Sequence, residues 1–229
     1  MSDFAWLLSL LLSVTISAVA SGDDRQKAEK QVRKITAMAT DRIGRRMVSM
    51  SIADTLKIPR PDLVEERCRI GLDYGSFFIA HELVAIGVKM TDIVSALSSG
   101  KTIWQIGDEQ HANWNQIAAD AKKQNSRIED YIYRHFLNKK NDEADQERDR
   151  AEKYDIARDA VRTDFNVTPQ EMVDAQARYI FWRDEAGKAQ GSGGHMTAGD
   201  MMAARMDHAR AQHNKNGGVT APSVGGAPQ

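Results

Sequence analysis

The apolar residues of this 229-residue chain recur at every third or fourth position over long stretches, which is the spacing of one face of an α-helix. The spacing predicts helices at residues 25–50, 72–86 and 112–136, and Pro61 is placed to start another. Segment 72–86 is apolar around more than half of its circumference, so we expect it to lie at the centre of the fold. The pattern predicts an all-α protein, an irregular helical bundle whose core lies in residues 61–136.

Turn-forming and capping residues divide these apolar segments. Threonine, aspartate and glycine within residues 40–44 predict a break or bend in the first helix. Gly87 is suited to end the central helix, and Thr91 is suited to cap a short helix that ends near Gly100. Thr102 then opens a second short helix. We therefore expect two short helices between the central helix and the long helix that follows.

Segment 139–164 differs because charges of both signs fill it and leave only a thin apolar seam. This composition predicts a solvated helix that protrudes from the core. Thr168 and Glu171 form a capping box before a helix that starts at Pro169. We expect the two helices to form a charged helical hairpin extension that associates with itself, as in a coiled coil, or with another protein. An aromatic cluster predicted to be exposed supplies its interaction candidates, Tyr179, Phe181 and Trp182.

The start of the chain predicts export. Residues 4–20 carry no charge and end in Ala-Val-Ala, the small-x-small form that signal peptidase cleaves, so we expect the mature chain to begin at Ser21. No Lys or Arg precedes the stretch, and its length is at the short edge of a bilayer span, so an uncleaved anchor is the alternative. The first interpretation predicts a periplasmic or secreted protein. The second predicts a membrane-anchored protein that faces away from the cytoplasm, and it alone implies contact with a membrane.

Charge and cysteine content limit the classes of function. The predicted leader contains one of the 32 acidic residues, so the remainder carries 31 acidic and 31 basic residues. A formal charge of zero gives no long-range attraction to nucleic acid or to an anionic membrane. Cys68 is the only cysteine, which excludes an intrachain disulfide and a CxxC site. We interpret it as a buried, inert thiol.

Segment 90–114 resembles a helix-turn-helix DNA-binding module, because two predicted short helices flank a turn that contains glycine. A helix that recognises DNA bases needs hydrogen-bonding side chains that face the bases and positively charged side chains that face the phosphates. This segment offers Gln105 and Gln110 beside Asp108 and Glu109. We therefore expect no nucleic-acid partner, and we interpret the apolar residues of the segment as packing contacts onto the neighbouring helices.

A family resemblance lies in the same part of the chain. A Tyr-Gly pair, Tyr74-Gly75, begins the apolar helix, and a short Asp-Ile-Val helix follows it. The motif residues after them are Gly100, Trp104, Ile106, Gly107 and Trp114. Over residues 61–125 the chain resembles uncharacterised exported bacterial proteins that carry the motif Gly-x-x-Trp-x-x-Ile-Ala. It departs from that motif at Gly107 and by an extra residue between Gly100 and Trp104. The resemblance implies an all-helical exported module in which these residues are structural, and it implies no known activity.

No recognisable catalytic arrangement is present in the sequence. His81-Glu82 matches the start of the HExxH zinc-protease motif, but Ala85 stands where the second histidine is required. We interpret His81 and Glu82 as a partly buried, hydrogen-bonded pair. No Ser-His-Asp set, phosphate-binding loop or convergent carboxylate pair can be assigned from spacing. We therefore expect no enzymatic activity.

In the C-terminal tail, residues 191–229, the sequence Gly-Ser-Gly-Gly at 191–194 predicts a flexible joint, and the Gly, Pro, Ser and Ala of 214–229 predict disorder. The segment between them, 197–212, can form a short helix. The tail also concentrates thioether and imidazole side chains, which suit Cu(I) or Ag(I). The candidate ligands are His195, Met201, Met202, Met206 and His208. A flexible amphipathic tail without a cofactor is the simpler interpretation, and soft-metal binding is the alternative.

The sequence thus predicts a signal peptide or anchor at 1–20, a helical domain at 21–138, a charged helical extension at 139–190 and the tail at 191–229. The favoured function is that of an exported, non-catalytic helical protein, which acts in the cell envelope or outside it. It would contact a protein partner or assemble with itself. Soft-metal binding through the tail and DNA binding by the helix-turn-helix segment are the alternatives.

Overall fold

The structure, a computed structural model, describes residues 22–137, 145–155, 164, 166–191, 203 and 207. These residues form helices joined by turns and connecting segments, which confirms the predicted all-α helical bundle. The helices are α1 (residues 22–38), α2 (Arg42–Leu56), α3 (Arg60–Ile70), α4 (Tyr74–Ala85), α5 (Met90–Ser98), α6 (Ile103–Glu109), α7 (Trp114–Phe136), α8 (Asp145–Tyr154) and α9 (Pro169–Gly191). The predicted leader at 1–20 lies outside the described residues.

The chain divides into two compact units, Met1–Ala186 and Gly187–Gln229. All of the contacts reported below lie within the first unit. In the second unit the structure describes the end of α9, Ala203 and Asp207. None of the helices in the described part of the chain combines the length and the apolarity that a bilayer span requires.

The break predicted within residues 40–44 is confirmed, because α1 ends at residue 38 and α2 begins at Arg42. Asp41 caps α2, and its Oδ1 accepts the N–H of Gly44 at 2.6 Å. The second helix then continues to Leu56, beyond the predicted end at residue 50. Buried residues continue along its inner face, so packing extends the helix.

The central position predicted for segment 72–86 is confirmed by burial. Phe77, Ile79 and Leu83 of α4 are fully buried. The helix contacts α2, α5, α6 and α7, so it lies at the centre of these four helices. A helix buried on most of its circumference loses the usual polar face, which explains the unbroken apolar run in its sequence.

The five helices from α2 to α6 share one kind of ending. Each is followed by a residue with positive φ, whose left-handed conformation turns the chain and lets following N–H groups bond to carbonyls of the last turn. After α4, the N–H of Val88 donates to the carbonyl of Leu83 at 3.1 Å. The five positive-φ residues are Lys57, Gly71, Gly87, Gly100 and His111. Gly87 ends the central helix as predicted.

The two short helices predicted after the central helix are present as α5 and α6. Thr102 caps α6 in a capping box, in which its Oγ1 accepts the N–H of Gln105 and the Gln105 side chain accepts the N–H of Thr102. The prediction that Thr91 caps α5 is wrong. That helix begins at Met90, and Lys89 at the capping position makes no side-chain bond.

The long helix α7 packs along α2 and is fixed there by two buried amides. Gln124 Nε2 donates to Ser51 Oγ at 2.8 Å, and Asn125 Nδ2 donates to the carbonyl oxygen of Gln31 in α1 at 2.9 Å. Because buried polar groups need partners, these bonds favour one register of α7 against α1 and α2.

The prediction that the charged segment protrudes is wrong, because α8 packs against α3. Arg150 lies 2.5 Å from an Asp62 oxygen and 3.4 Å from a Glu65 oxygen, both on α3. Ala151 is fully buried at the interface. Two of the charges that suggested a solvated helix, Arg150 and Glu152, form ion pairs with neighbouring helices, so net composition alone did not reveal the contact.

The last helix, α9, begins at Pro169 with the predicted capping box. Thr168 Oγ1 accepts the N–H of Glu171 at 3.2 Å, and Glu171 accepts the N–H of Thr168 at 2.9 Å. The carboxylate of Glu171 also lies 2.8 Å from Arg33 Nε on α1. The capping residue therefore also joins α9 to the first helix.

Candidate functional site

The motif residues named by the family resemblance lie where α6 meets the start of α7. The rings of Trp104 and Trp114 are buried, with centroids 5.4 Å apart. Gly107 lies against the second ring, since a Cβ at this position would be 2.4 Å from a Trp114 ring carbon. That close approach explains why glycine stands at this position. Ile106 is buried with them, and Gly100 is exposed at the turn before α6.

The exposed side of α6 is occupied by polar contacts within the protein. Asp108 accepts the Trp114 ring N–H at 2.9 Å and a guanidinium N–H of Arg25 at 2.5 Å. Lys101 and Glu109 form an ion pair at 2.6 Å. Two carboxylates therefore lie where a DNA-reading helix would need cations or neutral donors. This arrangement favours the structural interpretation of the segment.

The Tyr74-Gly75 part of the motif holds α4 against α1. Asp73 caps α4 from a buried position, and its Oδ1 accepts the Thr36 hydroxyl at 2.5 Å and the Gly75 N–H at 2.9 Å. A Cβ at Gly75 would lie 2.8 Å from the Val32 carbonyl oxygen, so the two backbones can approach only at glycine. Burial raises the pKa of Asp73, and its hydrogen bonds oppose the rise. The sequence analysis missed this cap, which an aspartate directly before an apolar helix could have indicated.

A polar cluster that the sequence analysis also missed lies where the end of α8 meets α2 and α4. The Arg67 guanidinium is buried 4.0 Å from the centroid of the Tyr74 ring. The Tyr74 hydroxyl donates to Asp155 Oδ1 at 3.2 Å, and Arg45 Nε donates to Asp155 Oδ2 at 3.0 Å. Burial raises the pKa of Tyr74, which keeps its hydroxyl protonated as a donor. No local pattern could have indicated this cluster, because its residues come from four separate segments.

His81 and Glu82 do not pair with each other as predicted, because their main polar neighbours lie on different helices. His81 Nε2 lies 3.2 Å from Glu66 Oε2 on α3, and its hydrogen bond lowers the pKa of Glu66. Burial, with a smaller contribution from Asp120 on α7, raises the pKa of Glu82 to about 7. A carboxyl group that titrates near neutrality is a candidate acid or base. No nucleophile is placed beside it in the described contacts, so we assign it no chemical step.

Two surface pockets border α8. One, of about 380 Å³, is lined by residues that include Glu66, Cys68 and Tyr154. The other, of about 450 Å³, is lined by residues that include Arg46, His135 and Arg148. Cys68 is half-buried at the first pocket, which corrects the prediction of a buried thiol. Both pockets lie between α8 and other helices, so unfilled space borders this helix.

The aromatic residues of α9 face the protein more than predicted. Trp182 is buried, its ring packs edge-on against Tyr133 with centroids 5.8 Å apart, and its Nε1 lies 3.3 Å from Glu129 Oε2. Tyr179 is half-buried 4.9 Å from the Phe136 ring, and Phe181 is half-buried beside Trp182. The prediction that this cluster is exposed is therefore wrong for Trp182. The large apolar ring stabilises the contact between α9 and α7.

The exposed apolar side chains of α9 lie on its opposite face. Val173 is 58% exposed and Ile180 is 39% exposed, and Ala177 lies half-buried between them. These three residues are spaced four and three apart, so they form one line along the helix, which we call the α9 stripe. The sequence analysis selected the aromatic neighbours of Ile180 and did not separate the two faces of the helix. The period of the buried residues Ala175, Trp182 and Ala186 could have done so.

The predicted soft-metal ligands in the tail, His195, Met201, Met202, Met206 and His208, lie outside the described residues. In the part of the chain that the structure does describe, no group of three or more His, Cys, Asp or Glu side chains is placed to hold a metal ion. The tail hypothesis stays a prediction.

Comparison with known proteins adds no relative. No family model matches the chain, and neither a curated protein nor a solved structure is significantly similar to it. The family resemblance inferred from the motif residues stays a prediction. The function is therefore argued from the residues and their arrangement alone.

Proposed function

We propose that this protein is an exported, non-catalytic helical protein that acts by contacting another protein chain through the α9 stripe. The single observation that supports the contact is the exposure of Val173 and Ile180 on one line of a helix whose other face is fixed by Trp182. A helix anchored in this way presents its outer face in a defined orientation. Helix-in-groove recognition uses apolar side chains at this spacing.

The size of the stripe sets the kind of contact. It spans about two helical turns, so the area that it can bury is far below the roughly 800 Å² per partner of a standard stable complex. We therefore expect a weak, reversible contact, with a second copy of this chain or with another exported protein. A charged side chain beside the stripe, Asp184, suits the polar rim that surrounds the apolar centre of an interface.

Photo-crosslinking in the native cell tests the contact directly. Ile180 would be replaced by the photoreactive residue benzoylphenylalanine, and the adducts would be identified by mass spectrometry. The matched control places the same residue at Ile86, which is also an exposed apolar position, 57% exposed, but lies just after α4. We expect an adduct of discrete mass at position 180 and a weaker or absent one at position 86.

The mass of the adduct identifies the partner class. Twice the mass of the chain would mean self-association, and any other discrete mass would mean a different protein. Equal labelling at positions 180 and 86, or no protein adduct at either, would refute the α9 stripe as a binding site.

Export is supported by the uncharged stretch 4–20 and its Ala-Val-Ala ending. Intact mass measurement on native protein, combined with cell fractionation, tests this part separately. We expect the extracytoplasmic fraction to contain a chain that begins at Ser21. Full-length protein dissolved in the cytoplasm would refute export without bearing on the contact.

A further inference from the structure

We propose that α8 is a displaceable strap, a helix held on the protein mainly by charge and released when those charges are screened. The inference goes beyond the proposed contact at the α9 stripe and does not depend on it. It rests on three observations at the α8 interface: few buried apolar groups, ion pairs at several points along its length, and unfilled space beside it.

The apolar contribution of α8 to its own docking is small. Among its described side chains Ala151 is fully buried, and Tyr154 is only partly buried. A buried methyl group contributes little compared with a large buried side chain. Open surface pockets of about 380 and 450 Å³ lie beside the helix. Solvent and dissolved ions can therefore reach the edges of its interface.

Ion pairs hold the strap to two helices, α3 and α2. Arg150 reaches Asp62 and Glu65 on α3, and Glu152 pairs with Arg42 on α2. Of these five side chains, all but Glu152 are largely solvent-accessible, so dissolved salt can screen most of the attraction. The Debye length falls from roughly 10 Å at 0.1 M to roughly 3 Å at 1 M salt.

One contact at the end of the strap is of a different kind. Asp155 bonds to Arg45 and to the hydroxyl of Tyr74, and all three side chains lie mostly out of solvent. Salt screens such a buried contact much less than an exposed one. Release therefore begins at the Arg150 and Glu152 pairs, and the Asp155 contact is the last to open. Full release uncovers the α3 surface around Cys68 and the edge of the Arg67–Tyr74 pair.

Hydrogen exchange on the intact protein measures the release, with α9 as an internal control. Between 0.05 and 1 M NaCl we expect the exchange of amides in residues 146–154 to become roughly five- to tenfold faster, because several exposed ion pairs weaken together. Amides in residues 172–186, which are anchored by Trp182, should change by less than about twofold.

Variants separate the ion pairs from general effects of salt. At low salt, Arg150→Gln should speed exchange in α8 and reduce its salt response, whereas Glu147→Gln on the exposed side of the same helix should leave both unchanged. The charge-reversed pair Arg150→Asp with Asp62→Arg should restore slow exchange, since the attraction is rebuilt with opposite polarity.

The strap would be disproved by an equal salt response in α8 and α9 of the unmodified protein. It would also be disproved if Arg150→Gln affected exchange in α8 no more than Glu147→Gln. The first measurement needs no substitution, so failure of a variant to fold cannot leave the question open.

Discussion

Helices α8 and α9 both carry charges along their length, yet they attach to the protein in different ways. α9 places Trp182 in a buried site against Tyr133 and keeps its charged groups at the edges. Among its described side chains α8 buries one alanine, and Arg150, Glu152 and the following Asp155 form ion pairs with neighbouring helices. Similar composition therefore produces one helix fixed by apolar burial and another held by electrostatic attraction. Only the second kind of contact responds strongly to salt.

The strongest way to break this contrast is to remove the anchor of α9. Trp182→Ala should lower the free energy of unfolding by about 3–5 kcal/mol, because it deletes a fully buried indole and leaves a cavity beside Tyr133. Urea denaturation at low and high salt measures the loss, which should be similar at both. Trp182→Phe is the matched control and should lose less. A loss below about 1 kcal/mol for the alanine variant would mean that α9 is not anchored by this ring.

A smaller loss is expected from the one buried contact of the α8 segment. Asp155→Ala should reduce the free energy of unfolding by about 2–3 kcal/mol, because it leaves the Arg45 guanidinium and the Tyr74 hydroxyl without this acceptor. The measurement is chemical denaturation. Asp149→Ala, which removes an exposed carboxylate from the same helix, serves as the control. Equal effects of the two substitutions would contradict the distinction between the end of α8 and its exposed ion pairs.

A pH titration of stability extends the comparison to α4, because the partly buried carboxyl group of Glu82 titrates near neutral pH. The folded-state pKa of Glu82 is raised to about 7 by burial, above its ordinary value of 4.5. The unfolded chain then releases this proton first, so stability falls as pH rises from about 4.5 to 7. Glu82→Gln should remove about 1 kcal/mol of that fall, a value reduced for partial exposure. Thermal unfolding at pH 5 and pH 8 measures it.

The control for this titration is Glu66, whose pKa is lowered chiefly by its hydrogen bond with His81. A lowered carboxyl pKa stabilises the fold above the unfolded pKa and loses that effect as pH falls. Glu66→Gln should therefore change stability in the opposite direction at neutral pH. The same sign for both variants at pH 8 would contradict the assignment of the two carboxyl groups to different environments.

The smallest effect is expected at the exposed end of the strap. Arg42→Ala removes the partner of Glu152, but Arg42 is 73% exposed, so the loss should be no more than about 0.5 kcal/mol and should vanish at 1 M salt. Denaturation at both salt concentrations checks this. A loss that persisted at high salt would show that the pair acts through packing.

Local sequence signals predicted the helices much better than their contacts. The helix start at Thr102 and the capping box at Thr168 could be predicted because each signal is complete within four residues. The central position of α4 could also be predicted, because its apolar run is continuous in the sequence. The docking of α8 could not be read, because Arg150 finds its acidic partners more than 80 positions earlier in the chain. Spacing along one helix does not record which distant helix supplies the opposite charge.

The candidate site shows the same division. The sequence analysis selected the last helix as a contact region but chose Trp182, which packs into the protein. Large aromatic residues on a helix serve burial and binding equally well by composition. The two roles can be distinguished only by comparing the two faces of the helix. One face carries the buried residues Ala175, Trp182 and Ala186, and the other carries the exposed residues Val173 and Ile180.

The hydrogen bond from Asn125 to Gln31 also bears on how the chain matures during synthesis. The two residues are 94 positions apart, so the ribosome finishes the first helix long before its partner on α7 exists. At about 5–20 residues per second this interval lasts roughly 5–20 s. During that time α1 can already pack against α4, because Gly75 lies directly beside Val32. Its contact with α7 at Gln31 forms only after that helix has been made, so the native environment of α1 is completed late in synthesis.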